Sequence, residues 1–190
     1  MLEYAKSMNV ISVNVGRPKR FSIEGDIIVT SIFKDPVQGR VRVLPLNLEG
    51  DEQADLTVHG GTGKAVYAYP SEHYRLWRGE LPDAELGWGA FGENLTVEGL
   101  LESTTCIGDR LRIGTAVLEV TQPRMPCFKL AYKFGRQDMI KRFVKSGRSG
   151  FYLRVVSDGD VGAGDTIELI GRRDGAPSVS SVLESRDSAG

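Results

Sequence analysis

TQPRMPCFKL, residues Thr121–Leu130, is the stretch from which we predict both fold and function. The apolar run Ala116–Val120 precedes it and predicts a strand. Proline is tolerated in the first helical turn, because its missing N–H is not needed there. With Pro126 at the first helical position, Cys127 would lie in the first turn of a helix. The stretch therefore predicts a strand-to-helix corner that carries a cysteine.

The surroundings of Cys127 are predicted to be positively charged. Unpaired N–H groups and the helix dipole favour an anion at a helix N-terminus, and Arg124 and Lys129 add two cations. Such surroundings favour a thiolate, which can act as a nucleophile or a metal ligand. The alternative is that Cys127 is a small buried hydrophobe. The other cysteine, Cys106, has no close cationic neighbour and is interpreted as structural.

Composition indicates an ordinary globular protein of 190 residues, with 41% hydrophobic and 26% charged residues. We expect one domain at residues 8–170 and a flexible tail at residues 171–190. The net charge of −1 argues against binding to nucleic acid polymers or to anionic membranes. Only two cysteines and no apolar leader predict a reducing compartment, and hence a cytoplasmic location.

Short alternations of apolar and polar residues recur along the chain, separated by turn signals. About eight to ten strands are predicted in this way, and 23 glycines provide for tight turns. Helical patterns occur at residues 70–78, 127–134 and 138–145. The combination predicts a mainly β fold, a closed or strongly bent β-barrel with a few helices in its long connections.

A glycine-rich turn with His59, Gly60, Gly61 and Lys64 is a candidate anion site. Glycines let the backbone approach a ligand, and runs of N–H groups can form an anion nest. Histidine and lysine are natural partners of phosphate. The spacing differs from that of a P-loop. The alternative is a hairpin whose turn simply needs glycine.

Three further polar features of the sequence bear on a binding site. Asn94 can donate and accept, so it suits the edge of a heterocycle, although an Asx turn would also explain it. His73 is interpreted as a surface or packing residue. Basic residues accumulate after Cys127, either as a local positive field or as a solvated helix face. They are Lys129, Lys133, Arg136, Lys141, Arg142, Lys145 and Arg148.

Several of these motifs follow one another in the order found in a known family. In sequence order they are Val58-His59-Gly60-Gly61, Lys64-Ala65-Val66-Tyr67, Phe91-Gly92-Glu93-Asn94-Leu95, Ile107-Gly108-Asp109, QPRMPCFKL, Gly150-Phe151-Tyr152 and Gly164-Asp165-Thr166-Ile167. Together they closely resemble a MOSC domain, the module homologous to the C-terminal domain of molybdenum cofactor sulfurase. The nearest subgroup is that of the YiiM-like stand-alone bacterial proteins, and the resemblance covers roughly residues 8–170.

The resemblance implies a β-barrel that binds the molybdenum cofactor, a pterin dithiolene with a phosphate (molybdopterin). Cys127 matches the cysteine thought to ligate molybdenum or to carry sulfur. The cofactor phosphate would be held by His59, Gly60, Gly61, Lys64 and Arg148, and the pterin by Asn94, with Arg124 and Lys129 as further cations. Pyridoxal phosphate binding is a further label attached to the family.

Related members reduce N-hydroxylated compounds, including hydroxylaminopurine-type bases, with electrons from partner proteins. YiiM-like proteins commonly add a small helical C-terminal domain, for which the residues after 170 are too few. The chain also has no ferredoxin-type cysteine cluster. We therefore expect an external electron-donor protein, with the oligomeric state left open between a monomer and a homodimer.

Two functions remain open at this point. In the first, the protein is a molybdenum-dependent oxidoreductase that acts on N-hydroxylated small molecules. In the second, it is a non-catalytic carrier of the cofactor, or of sulfur as a persulfide on Cys127. A degenerate structural barrel is weaker, because the whole Pro-Arg-x-Pro-Cys element is retained.

Overall fold

The computed structural model describes residues 7–23, 26–53 and 61–187. Within these ranges the chain forms twelve strands and four α-helices. The strands are β1 (Asn9–Val15), β2 (Lys19–Ile23), β3 (Asp26–Thr30), β4 (Asp35–Pro36), β5 (Arg40–Val43), β6 (Val66–Pro70), β7 (Leu95–Glu98), β8 (Arg110–Ile113), β9 (Ala116–Pro123), β10 (Phe151–Ser157), β11 (Gly159–Gly162) and β12 (Ile167–Gly171). The helices are α1 (Glu72–Glu80), α2 (Phe128–Phe134), α3 (Met139–Ser146) and α4 (Val179–Asp187), with a 3-10 turn at Thr62–Lys64.

Eight strands form one sheet in the order β12-β8-β9-β10-β6-β7-β1-β4. Neighbours are antiparallel except β6 and β7, which are parallel. β11 pairs with β5, and β2 pairs with β3, in two smaller sheets. The predicted mainly β class is confirmed. Closure into a barrel stays a prediction, because among the described residues β12 and β4 end the order without pairing with each other.

Alternation of residue types explains how the strands bury one face. In β8, Leu111 and Ile113 are buried, whereas Arg110 and Arg112 point to solvent. β6 is different, since all five of its residues are buried. One of its faces belongs to the main core, and its tyrosines join an aromatic cluster with Trp77, Phe91 and Phe143. This second cluster packs the helices against the sheet beside the strand-to-helix corner.

The helices predicted around residues 70–78, 127–134 and 138–145 are confirmed as α1, α2 and α3. The predicted start of α2 is wrong by one residue. Cys127 has extended dihedral angles, φ −128° and ψ 174°, and is the N-cap, so that Pro126 precedes the helix. Gly135, with φ 60°, ends α2.

The expected flexible tail after residue 171 differs from the structure. α4 buries Val179 and Leu183, which are 0% and 6% exposed. The N–H groups of Val179 and Ser180 donate to the carbonyls of Thr105 and Glu102. These two apolar side chains, four residues apart, anchor a segment whose serine- and arginine-rich composition had indicated a loose end. No helix in the described ranges is both long and apolar enough to cross a membrane.

Candidate functional site

The corner between β9 and α2 opens onto a pocket of about 110 Å³. Its wall includes Cys127 and Arg124 from the corner, Tyr67 from β6 and Tyr152 from β10. Residues 30–34 and 51–53 form the opposite side. Four cationic side chains and two carboxylates line the pocket. The cations are Lys34, Lys64, Arg124 and Lys129, and the carboxylates are Asp51 and Glu52. The pocket is thus suited to an anionic group.

Arg124 is the most enclosed cation of this pocket, with 6% of its surface exposed. Its guanidinium lies 5.1 Å from the ring centre of Tyr67 and 5.2 Å from that of Phe143. These cation–π contacts hold the group in place. Nη1 of Arg124 is buried and has no hydrogen-bond partner among the described residues. Burial opposes the charge of Arg124, yet its pKa lies above the ordinary value and a guanidinium does not lose its proton in proteins, so Arg124 stays cationic.

Two tyrosines beside Arg124 remain protonated at neutral pH. Burial raises the pKa of Tyr67 well above its ordinary value, although Arg124 opposes the shift. Burial likewise raises the pKa of Tyr152, again against the effect of Arg124. The hydroxyl of Tyr67 donates to the carbonyl of Ser149 at 2.8 Å. The two rings lie 5.3 Å apart. Together they form a rigid, uncharged wall next to the cation.

The opposite wall is built around the buried carboxylate of Asp51. Its Oδ1 accepts from the Gly16 N–H at 2.7 Å and from Lys34, and its Oδ2 accepts from Asn94 at 2.9 Å. Burial lowers the pKa of Lys34, although Asp51 opposes the shift. Ser31 adds a buried hydroxyl with no partner among the described residues. The pocket therefore contains two unsatisfied buried polar atoms, one on each wall.

Asn94 lines the pocket, but its side chain cross-links the protein. Its Oδ1 accepts from the Tyr67 N–H at 3.0 Å, and its Nδ2 donates to Asp51. The amide thereby ties β6 to the Asp51 wall. These hydrogen bonds join residues 27 and 43 positions apart, so they are not the local bonds of an Asx turn, and they are made to the protein rather than to a heterocycle.

The glycine-rich turn is only partly visible. His59 and Gly60 lie outside the described residues. Gly61 has φ 94°, a conformation that favours glycine, and its N–H donates to Gln53 at 3.2 Å. Lys64 follows in the 3-10 turn and lines the pocket, as does Lys129 from α2. The structure thus brings Lys64, Arg124, Cys127 and Lys129 into one pocket, and their role in binding a cofactor stays a prediction.

Arg148, in contrast, does not line this pocket. Its Nη2 contacts Glu80 Oε1 at 2.5 Å, and its guanidinium lies 4.6 Å from the ring centre of Trp77. It fixes the segment after α3 to α1. Its Nη1 is buried and has no hydrogen-bond partner among the described residues, and its contact with a cofactor stays a prediction. His73 is buried and contacts Glu102 at 2.8 Å, in agreement with its interpretation as a packing residue.

Lys34, Asp51 and Ser31 are not among the site residues predicted from the sequence, and Tyr67 and Tyr152 are predicted only as members of the family motifs. Lys34 and Asp51 belong to no predicted strand or helix, and their pairing across 17 residues follows no periodic pattern. Asp51 lies in an acidic stretch with Glu49, Glu52 and Asp55, so the sequence does not single it out as the buried carboxylate.

The chain is similar to known proteins in sequence and in fold. A family model of the MOSC domain matches residues 55–168. The protein YflK of Bacillus subtilis is 47% identical over 164 residues, 86% of this chain and 74% of YflK. A protein of Gibberella moniliformis named reductase is 39% identical over 166 residues, which are 86% of this chain but 29% of the relative. The crystal structure of YiiM from Geobacillus stearothermophilus matches with a TM-score of 0.78 and 37% identity, over 94% of this chain and 83% of that one.

Proposed function

The chain belongs to the MOSC domain family, and from this premise we propose that the pocket at Cys127 binds the molybdenum cofactor. The protein would then be a reductase of N-hydroxylated small molecules, supplied with electrons by an external donor protein. The observation that carries the proposal is the pairing of Cys127 with a buried, cationic Arg124 whose Nη1 lacks a partner among the described residues. Such an atom is costly to bury unless a ligand satisfies it.

The donor set of the pocket fits this cofactor. A cysteine thiolate is a soft ligand of the kind that suits molybdenum in its sulfur-rich surroundings. Lys64 and Lys129 supply charge for the phosphate. When bound, the cofactor would supply the two-electron redox chemistry.

The residues of the chain would orient the substrate and neutralise its developing charge, and they would not themselves exchange electrons. Reduction of an N-hydroxyl group to an amine breaks the N–O bond, takes up two electrons and two protons, and releases water. Arg124 would stabilise negative charge beside Cys127, because it remains cationic. Tyr152, which remains protonated, would offer a hydrogen-bond donor at the same wall. Asp51 and Asn94 would keep the facing wall rigid.

The name of the fungal relative supports a reductase, and the matched part is 29% of that protein. The relative therefore contains regions that this chain does not match. The substrate class follows from the family resemblance alone, so hydroxylaminopurine-type bases are the first compounds to test.

The decisive experiment compares Cys127→Ala with wild type, both produced in cells that make the cofactor. Metal and pterin analysis should show cofactor in the wild type and a loss of about tenfold or more in the variant. Reduction of a hydroxylaminopurine with an artificial electron donor should fall in parallel. Cys106→Ala is the matched control, because Cys106 lies outside the pocket. A Cys127→Ala protein with full cofactor and full activity would refute the proposal.

A carrier of the cofactor, or of a persulfide on Cys127, is the second candidate. It is favoured by the half-buried position of Cys127 between Met125 and Phe128, which are 43% and 50% exposed. These apolar side chains could receive a partner that accepts the cargo. Wild-type protein that holds cofactor, transfers it to an apo-enzyme and reduces no substrate with any donor would favour this function.

A further inference from the structure

A second pocket, of about 630 Å³, lies on the side of the sheet formed by β8, β9 and β10. Four arginines line it, and Glu119 is its one acidic lining residue. The arginines are Arg110, Arg154, Arg172 and Arg173. The chain as a whole has a net charge of −1, so this concentration of positive charge is local. The volume is within the range of small-molecule sites, about 300–1,000 Å³.

Carboxylates hold three of these arginines in place. Glu119 accepts from Arg110 Nε at 3.1 Å and from Arg154 Nε at 3.0 Å. The carboxylate of Asp109, which is 1% exposed, accepts from Arg172 Nε at 2.7 Å and Nη2 at 2.6 Å. Arg154 Nη2 also contacts Glu119 at 2.8 Å, and Arg172 Nη2 also donates to the carbonyl of Thr104 at 2.8 Å. The side chains of Arg110, Arg154 and Arg172 remain 54%, 47% and 41% exposed, so their other N–H groups can meet a ligand from solvent.

Arg173 is different from the other three. Its guanidinium lies against Gly108, where an added Cβ would be 3.4 Å from Nε, an ordinary contact distance. Its side chain forms no ion pair or hydrogen bond with a described residue. The pocket thus combines three arginines that are fixed by carboxylates with one whose charge is not balanced.

We propose that this arginine-lined pocket is a second binding site, which takes a small anion with two linked phosphate groups, such as diphosphate or the diphosphate of a nucleotide. Arginine forks match phosphate oxygens in pairs, and several forks converging on one concave site suit an anion with several such oxygens. The site is distinct from the pocket at Cys127, although Thr121 links them: it lines the arginine pocket, and its hydroxyl donates to the carbonyls of Gly63 and Tyr152. The proposal does not depend on the molybdenum cofactor.

The test is calorimetric titration of the full chain with sodium diphosphate at low salt. Arg173→Ala and Arg154→Gln should each weaken binding by about tenfold, since each removes a charge-assisted fork. Arg112→Ala is the matched control, because Arg112 is an exposed arginine on β8 that pairs with Glu168 outside the pocket. The affinity of Arg112→Ala for diphosphate should stay within about twofold of wild type. Thermal unfolding of each variant verifies that the fold is kept.

Three outcomes would overturn the proposal. One is the absence of diphosphate binding at millimolar concentration. Another is an equal loss of diphosphate affinity in Arg173→Ala and Arg112→Ala, which would mean that the anion is attracted by surface charge in general. The third is a loss in Lys129→Ala without a loss in Arg173→Ala, which would place the anion in the pocket at Cys127. A poly-glutamate peptide serves as a second probe, and tight binding of this peptide without diphosphate binding would assign the surface to an acidic protein.

Discussion

Gly150 is the position at which the smallest substitution should damage the candidate site most. The residue has φ 61°, and a Cβ placed on it would lie 2.5 Å from the carbonyl oxygen of Ala68 and 2.8 Å from ring atoms of Tyr67 and Tyr69. Alanine in this conformation costs about 1–2 kcal/mol. Overpacking against a backbone atom that cannot move away adds about 1–3 kcal/mol. Gly150→Ala should therefore reduce the free energy of unfolding by about 3 kcal/mol.

Gly135→Ala provides the matched control. Gly135 has nearly the same φ, 60°, but an added Cβ meets nothing within 4 Å. Gly135→Ala should therefore reduce the free energy of unfolding only by the cost of the left-handed conformation, about 1 kcal/mol. Chemical denaturation of both variants measures the difference. Equal losses in the two proteins would refute the argument that the crowding around Gly150, rather than its dihedral angles, makes glycine necessary there.

The same substitution has a consequence for the site. The N–H of Gly150 donates to Glu102 at 2.7 Å, and its carbonyl accepts from the Arg124 N–H at 3.3 Å. A displaced Gly150 would shift both Arg124 and the ring of Tyr67. We expect Gly150→Ala to carry less cofactor than wild type, whereas Gly135→Ala should carry the same amount, as measured by metal and pterin analysis.

Three other substitutions test separate parts of the structure. Arg124→Lys should lower cofactor content by about tenfold, because lysine cannot fill the planar site between two rings; unchanged content would show that only charge matters. Burial lowers the pKa of Lys133 to about 8, so the unfolded state binds more protons above that pH and the free energy of unfolding should rise between about pH 8 and 9.5. This slope should vanish in Lys133→Met, and its persistence would assign it to other groups. Glu102→Gln, which keeps an acceptor for the Gly150 N–H but removes the charge facing His73, should cost about 1–3 kcal/mol in chemical denaturation; no loss would mean that the pair contributes nothing.

Local patterns predicted the elements well where side chains alternate or repeat along the chain. The alternation in β8 and the run leading into β9 fixed which residues face the core. The start of α2 was displaced by one residue, since a proline can stand immediately before an N-cap as well as at the first helical position. Cys127 is still extended, and the helix begins at Phe128. The difference changes which group caps the helix but keeps Cys127 in the pocket.

The walls of the pocket could not be predicted in the same way. Asp51 meets Asn94 across 43 residues and Gly16 across 35. Such pairs depend on how the sheet brings loops together, and a single sequence contains no periodic trace of them. α4 was missed for a related reason. Two buried apolar residues, Val179 and Leu183, decide its packing, while the surrounding serines and charges dominate its composition.

The position of Arg124 also bears on what the pocket is for. A buried guanidinium without a carboxylate partner is expensive, and removal of a single partner from a buried charge costs about 3–5 kcal/mol. The rings of Tyr67 and Phe143 offset part of this cost, at about 2 kcal/mol for a desolvated contact, and no described carboxylate forms an ion pair with Arg124. An apolar side chain of similar size would fill the same space more cheaply. An anion bound beside Cys127 would remove the deficit, and this is why we regard Arg124 as part of a binding site rather than of the core.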